Sequence, residues 1–466
     1  MHQRVSDDLH TQRRWWVLAT VVAAQFMFGV DAFIVNVAIP TIAVELHASP
    51  AQIESVIALY LIAYATLVVT GGRLGDIYGT KRIFIAGVLG FTLASLWCGL
   101  ARSGPELIAA RLAQGASAAL MVPQVLATLH LLFSDQARGR AFGIYGIVLG
   151  LAGAAGFALG GILVTLDLAG LGWRAVFFVN VPFGLVIIGA ALRIMPSVSR
   201  RAGTKLDVPG AIVLFVGLLC LIGPLLFGQD LHWAPSAWLI MAAGIAIIAA
   251  FFRLERAVER RGGTPLIDLS LLADRAFTRG LCAGFFFFIA NLSFYLVMTL
   301  YMQKALQIPP LQSGLIFVPL ALIFVIASRH SGMRAKHRGM LVLVEGCIVQ
   351  IAGLISVAIA SLATPSPLLF SAVLMIFGYG QGLVMAPLSG VVLSTVKPIS
   401  AGAGAGLYGT TQQIANAAGV AAIGAVFFTI EARSSALHAL FATLAMFVLS
   451  IMAAIVFLSS MRRALA

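Results

Sequence analysis

The sequence predicts an all-α protein that crosses a membrane many times, and three observations carry the prediction. Hydrophobic residues make up 61% of the 466 and charged residues only 10%, against about 25% charged in soluble domains. The apolar residues gather into runs of about 18 or more, long enough to span hydrocarbon as helices. Between the runs, Lys and Arg alternate between rich and poor loops, as they do when basic loops stay on the cytoplasmic side.

Fourteen runs qualify, at 15–38, 51–71, 82–101, 106–131, 140–164, 174–194, 207–227, 236–253, 277–302, 312–330, 340–361, 366–393, 404–430 and 437–460. An even number places both termini on one side. Of the 30 Lys and Arg, only Arg102, Arg174, Lys304 and Arg433 fall on the opposite side, and Arg111 lies within a span. The other 25 line the terminal side, which makes both termini of a multi-pass membrane protein cytoplasmic; the bacterial inner membrane is the expected location. Miscounting one span would destroy this alternation.

The longest internal loops, 195–206 and 254–276, bracket spans seven and eight. They divide the chain into an amino-terminal six-helix bundle (1–194), two additional helices with cytoplasmic linkers (195–276) and a carboxyl-terminal six-helix bundle (277–466). A faint repeat agrees: Pro123 is followed 16 residues later by the Gly139–Gly143 segment, and Pro387 is followed 15 residues later by Gly402–Gly406. Repeated halves around a central site are a common transporter plan.

The net charge of +13 raises a nucleic-acid reading, but the basic residues are scattered among short loops rather than gathered in one patch. Cys98, Cys220, Cys282 and Cys347 all sit in apolar runs without metal-ligand spacing and read as packing residues. Arg13 and Arg14 precede a run too long for a signal-peptide core, so the first span is expected to be its own uncleaved anchor. No metal or cofactor site is expected; the expected partners are a small molecule, protons and membrane lipid, and a monomer is the expected state.

Two ionisable residues inside spans stand out. A carboxylate near the middle of the hydrocarbon costs about 2.5 to 3.5 kcal/mol on insertion scales, so Asp31 in the first span needs a protein interior or a wet cavity. On a helix, Arg111, Gln114, Gly115 and Ala118 share one face. A carboxylate releases its proton and a guanidinium does not, which makes Asp31 a candidate proton-binding group and Arg111 the fixed charge beside it. The alternative is a permanent structural pair.

The loop Gly72-Arg-Leu-Gly-Asp-Ile-Tyr-Gly-Thr-Lys-Arg82 resembles the loop signature of the major facilitator superfamily. Asp31-Ala-Phe-Ile-Val-Asn-Val-Ala-Ile-Pro40 is similar to the first-helix signature of that superfamily's fourteen-helix drug:proton antiporter branch. Arg111-Leu-Ala-Gln-Gly115 resembles the antiporters' fourth-helix motif, and Trp173-Arg174 with Asn180-Val-Pro-Phe-Gly184 resembles the start of the branch's sixth helix. Two segments depart from the pattern. Gly156-Phe-Ala-Leu-Gly160-Gly161 carries Phe157 where the fifth-helix antiporter motif has proline, and the loop 328–338, where a second loop signature would fall, keeps its charge but has no aspartate.

The resemblance implies the major facilitator fold and a proton-coupled exporter of lipophilic, possibly cationic, small molecules working by alternating access, with no cofactor beyond the proton gradient. Asp31 and Arg111 would couple protons. Gly72, Asp76, Gly79, Lys81 and Arg82 would form a conformational gate that docks against the other half. Gly146, Gly150, Gly153, Gly156, Gly160 and Gly161 would let another helix approach closely. Asp31, Gln114, Glu345, Asn291, Gln381 and Gln412 are the candidate substrate contacts, although Glu345 reads equally as an acid reaching the cytoplasm, and the amides equally as bonds between helices. Glu54 reads as an interfacial acid. The aromatic run Phe285–Phe288 with Phe294, Tyr295 and Tyr301 would suit a flat lipophilic ligand, while most of it is expected to face lipid or to pack. Import of a nutrient on the same fold stays open. A membrane enzyme or receptor finds no His, Cys or Asp cluster and no phosphate loop in its support.

Overall fold

The computed structural model of the chain describes residues 2–133, 135–167, 170–196, 207–228, 233–261, 266, 269–362, 366–396 and 401–465. Among the described residues, 14 helices are long and apolar enough to cross a membrane. They are α1 (His2–Glu45), α2 (Pro50–Tyr78), α3 (Thr80–Leu100), α4 (Gly104–Leu132), α5 (Asp135–Leu166), α6 (Gly172–Ile194), α7 (Val208–Phe227), α8 (Pro235–Arg260), α9 (Arg275–Leu300), α10 (Pro310–Arg338), α11 (Leu341–Leu362), α12 (Pro367–Leu393), α13 (Ala401–Arg433) and α14 (Ala436–Leu465).

Local chemistry explains where these helices begin. Ser49 caps α2 by accepting from the Gln52 amide while the Gln52 side chain accepts from the Ser49 N–H, and Pro50 occupies the first turn, where no N–H is missed. Ser103 caps α4, Asp207 caps α7, and Asp274 caps α9 through the amides of Ala276 and Phe277. Gly79, at φ 95°, lets α2 stop and α3 start at once, a backbone state that favours glycine. The helices also run beyond the apolar runs: α8 continues to Arg260, so the first seven residues of the loop expected at 254–276 are helical. Most of the loop at 195–206, and Lys397, lie outside the described residues.

Every principal pairing among α1–α6 recurs eight helices later. α2 packs on α4, α3 on α4 and α1 on α5; likewise α10 packs on α12, α11 on α12 and α9 on α13. The architecture is therefore two repeated six-helix bundles with α7 and α8 between them in sequence. The bundles meet along two seams, α5 against α10 and α2 against α13, while α7 lies against both α2 and α13, with α8 packed on it.

Small residues set the closeness of the first seam. A Cβ at Gly161 would come within 2.9 Å of the Pro310 carbonyl, one at Gly314 within 2.4 Å of the Phe157 carbonyl, and one at Gly150 within 2.4 Å of Val325. At Gly146, one turn further toward the termini, nothing described lies within 4 Å. That corrects the expectation for Gly146: the seam ends before it. At the end remote from the termini the halves are also joined by Gln303, which follows α9 in a π turn and donates to the Val37 carbonyl at 3.0 Å.

Candidate functional site

The centre of the first bundle is built by a close approach of α2 and α4. Gly115 lies so near α2 that a Cβ there would be 2.2 Å from the Tyr60 carbonyl. One turn earlier on α4, Arg111 is thereby set against α2: its Nε donates to the Val56 carbonyl at 3.1 Å, and its guanidinium sits 3.9 Å above the Tyr60 ring. The face shared by Arg111 and Gln114 then turns toward α1.

On α1, Asp31 receives that face. Its Oδ2 accepts from Arg111 Nη1 at 2.7 Å; its Oδ1 accepts from Gln114 Nε2 at 2.9 Å and from Asn180 Nδ2 at 3.0 Å. Arg111 Nη1 also donates to Gln114 Oε1 at 2.6 Å, and Ser95 Oγ on α3 accepts from Gln114 at 2.8 Å and from Asn180 at 3.3 Å. Five helices thus contribute to one network, and none of Asp31, Ser95, Arg111, Gln114 or Asn180 is more than 2% exposed.

The chemistry is that of a desolvated ion pair with its hydrogen bonds filled. Such a pair adds little net stability against an apolar replacement, yet breaking it by removing one partner costs about 3 to 5 kcal/mol because a charge is left buried. Neutralising Asp31 would strand Arg111 in just that way. The sequence does not mark Ser95, Tyr60 or Asn180 as site residues. Asn180 was legible as an amide within a span and inside a quoted motif; Ser95 carried no signal.

The remaining candidates are dispersed. Glu345 on α11 is paired with Arg334 (3.3 Å) and Arg338 (2.5 Å) at the end of α10, about a third exposed, so it is a salt-bridged acid where α10 turns into α11 rather than a cavity-lining one. Asn291 on α9 and Gln381 on α12 are hydrogen-bonded to each other, and Tyr295 donates to Gln381 Oε1 at 2.8 Å. Gln412 is half-buried on α13. Glu54, expected at the interface with solvent, is 1% exposed and packs against Gly424 of α13.

The loop motif is held mainly by its own bundle. Gln124 Nε2 donates to the Gly71 carbonyl at 2.8 Å, Gly72 lies 3.7 Å from Pro123 as a Cβ would see it, and Lys81 Nζ donates to the Leu192 and Met195 carbonyls at 2.8 Å each, at the end of α6. Asp76 and Arg82 are exposed. The carboxylates of Asp207, which caps α7, of Glu255 on α8 and of Asp76 act electrostatically on Arg73. The glycines of α5 pack on two sides, Gly153, Gly156 and Gly160 toward α1 and Gly150 and Gly161 toward α10.

The family model of the Major Facilitator Superfamily matches residues 21–420. The chain belongs to the major facilitator superfamily. Curated relatives in that superfamily include the probable actinorhodin transporter of Streptomyces coelicolor, 35% identical over 89% of this chain and 73% of its own length. The cephamycin export protein of Amycolatopsis lactamdurans is 32% identical over 87% of this chain and 83% of its own. A solved structure of a proton-dependent oligopeptide transporter superposes with a TM-score of 0.69 at 17% identity, covering 97% of this chain and 99% of that one. This member of the superfamily is therefore a multi-pass membrane transporter and not an enzyme.

Proposed function

We propose that the protein exports lipophilic small molecules in exchange for protons, with Asp31 as the proton-binding group. The observation that carries the reading is the Asp31–Arg111 pair: a carboxylate buried beyond solvent in the amino-terminal bundle, held by three side-chain donors from two helices. Export is favoured over import because relatives that match most of this chain are named for export or resistance, cephamycin export and puromycin resistance among them.

In the proposed cycle the ion pair belongs to the conformation seen here, joined at the end remote from the termini. When that end opens, a proton from outside reaches Asp31, neutralises it and releases Arg111 and Gln114 from α1. The ligand between the bundles and the proton in the first bundle then favour opposite states, and each crosses only in exchange for the other. With the basic loops cytoplasmic, the direction is outward for the ligand.

The test is a proteoliposome with an imposed pH gradient and a pH-sensitive dye in its lumen. Addition of a transported compound should trigger proton movement in the wild type and none in Asp31→Asn. Full exchange by a correctly folded Asp31→Asn protein would overturn the assignment.

A further inference from the structure

The seam between the bundles carries a second cluster, distinct from the ion pair. Phe157, in the position where the resembling motif has proline, projects from α5 into a group of rings drawn from both halves. Its ring stacks on Phe317 of α10 (4.4 Å between centroids, 26° between planes) and lies 5.1 Å from Tyr295 of α9 and 5.3 Å from Phe33 of α1. Phe33 meets Tyr295 edge-on at 5.6 Å, as does Phe317. Two rings belong to the first half and two to the second, and three of the contacts, Phe157 with Phe317, Phe157 with Tyr295 and Phe33 with Tyr295, cross from one half to the other.

The polar atoms beside these rings run in one direction and end unfinished. Tyr295 donates to Gln381 Oε1, and Gln381 Nε2 donates to Asn291 Oδ1, which fixes the Asn291 amide with its N–H2 pointing onward. Asn291 is only 5% exposed, and its Nδ2 has no hydrogen-bond partner among the described residues. A buried amide donor left unpaired is costly. One turn away on α9, Phe288 lies edge-on to Tyr408 of α13, whose buried hydroxyl is likewise without a partner.

We propose that Phe33, Phe157, Tyr295 and Phe317, with the Asn291 amide, seat a planar polyaromatic ligand that bears a carbonyl acceptor and no positive charge. The inference rests on the export reading and narrows its substrate class. Ring faces that part as the halves rock are re-covered by a flat ligand in offset-stacked or edge-on contact. Asn291 Nδ2 supplies the donor that a ketone or quinone oxygen accepts, and its positive end disfavours a cation. Asp31 cannot serve as a countercharge here, because it is fully buried in the first bundle and already paired. Glu54, the acid on the other seam, packs on Gly424.

The experiment compares binding of 9-fluorenone, fluorene and ethidium to the full chain in lipid nanodiscs by equilibrium dialysis, with empty nanodiscs correcting for lipid partition. Fluorenone and fluorene share a shape and differ in the carbonyl. The wild type should bind fluorenone about tenfold more tightly than fluorene, the scale of one hydrogen bond in a dry site, and ethidium more weakly than fluorenone. Asn291→Leu should abolish the preference for fluorenone over fluorene, and Phe157→Ala should weaken both. Equal affinities of the wild type for fluorenone and fluorene, tighter binding of ethidium, or an undiminished preference in Asn291→Leu overturns the proposal. The wild-type comparison decides the matter even if a variant fails to fold. If fluorenone binds as expected but triggers no proton movement in proteoliposomes, the seat stands and the export reading falls. Proton movement without the carbonyl preference means the reverse.

Discussion

The two bundles repeat the same packing but hold opposite interiors. Gly115 of α4 abuts the Tyr60 carbonyl of α2, and Gly378 of α12 abuts the Leu320 carbonyl of α10 in the matching place. The residue before the first is Gln114, hydrogen-bonded to a carboxylate and an arginine; the residue before the second is Phe377, stacked on Phe294 at 3.9 Å. The first interior is a dry ionic network, the second an aromatic core whose buried polar side chains, among the described residues, are uncharged amides and hydroxyls. A shared backbone plan therefore does not impose a shared chemistry, and the proposed division of labour follows from the contrast: proton in one half, ligand between the halves, and a second half that supplies shape.

The contrast breaks most completely at Asp31. Asp31→Asn should reduce ligand-triggered proton movement to the level of empty liposomes, and leaving Arg111 buried beside a neutral amide should cost about 3 to 5 kcal/mol of stability, read from the thermal or denaturant transition. The double variant Asp31→Leu/Arg111→Leu should recover most of that stability and none of the transport, because an apolar pair replaces a buried ion pair with little loss. Recovery of transport in the double variant would place the proton elsewhere. Next in size, Phe157→Ala should cost about 3 kcal/mol or more, since its ring is 1% exposed and touches three others, two of them across the seam. Asn180→Leu removes one donor to the carboxylate and should cost about 1.5 to 3 kcal/mol. Because it leaves both charges in place, proton exchange should persist with a displaced pH profile, which distinguishes a supporting residue from the proton carrier.

Much of the membrane architecture was legible because it is written locally. Span length and the placement of Arg and Lys need no tertiary knowledge, and 14 spans emerge from either reading. The meeting of Arg111 and Gln114 with Asp31 was partly legible, since spacing on α4 puts the first two on one face. That this face turns to α1 depends on Gly115 closing against Tyr60, a contact between residues 55 apart in sequence. Ser95 and Tyr60 gave no sign, because an ordinary Ser or Tyr in an apolar run is as often a packing residue. Glu54 was misplaced for a related reason: its height in the membrane could be read from α2, but its burial depends on Gly424 of α13. Phe157 was visible only as a missing proline, and its part in the seam required the three rings that surround it.

The smallest expected effect sharpens the comparison furthest, because it concerns an acid of the second half that sequence alone leaves open between a cavity-lining and a cytoplasm-facing role. Glu345 lies on α11 about a turn from its start, and position cannot say whether it faces a cavity or a loop. Its carboxylate is shared by Arg334 and Arg338, with about a third of its side chain and of Arg334 and over half of Arg338 exposed to solvent. Exposed pairs contribute about 0 to 1 kcal/mol, screened by salt. Glu345→Gln keeps the shape, removes the charge and leaves both guanidinium groups hydrated, so nothing is stranded as Arg111 would be by Asp31→Asn. Stability should change by less than about 1 kcal/mol at low salt and by nothing measurable in 1 M salt, and ligand-triggered proton movement should match the wild type. Loss of proton movement in a folded Glu345→Gln protein would mean that the second half carries protons too, and the contrast between an ionic half and a neutral one would describe packing rather than mechanism.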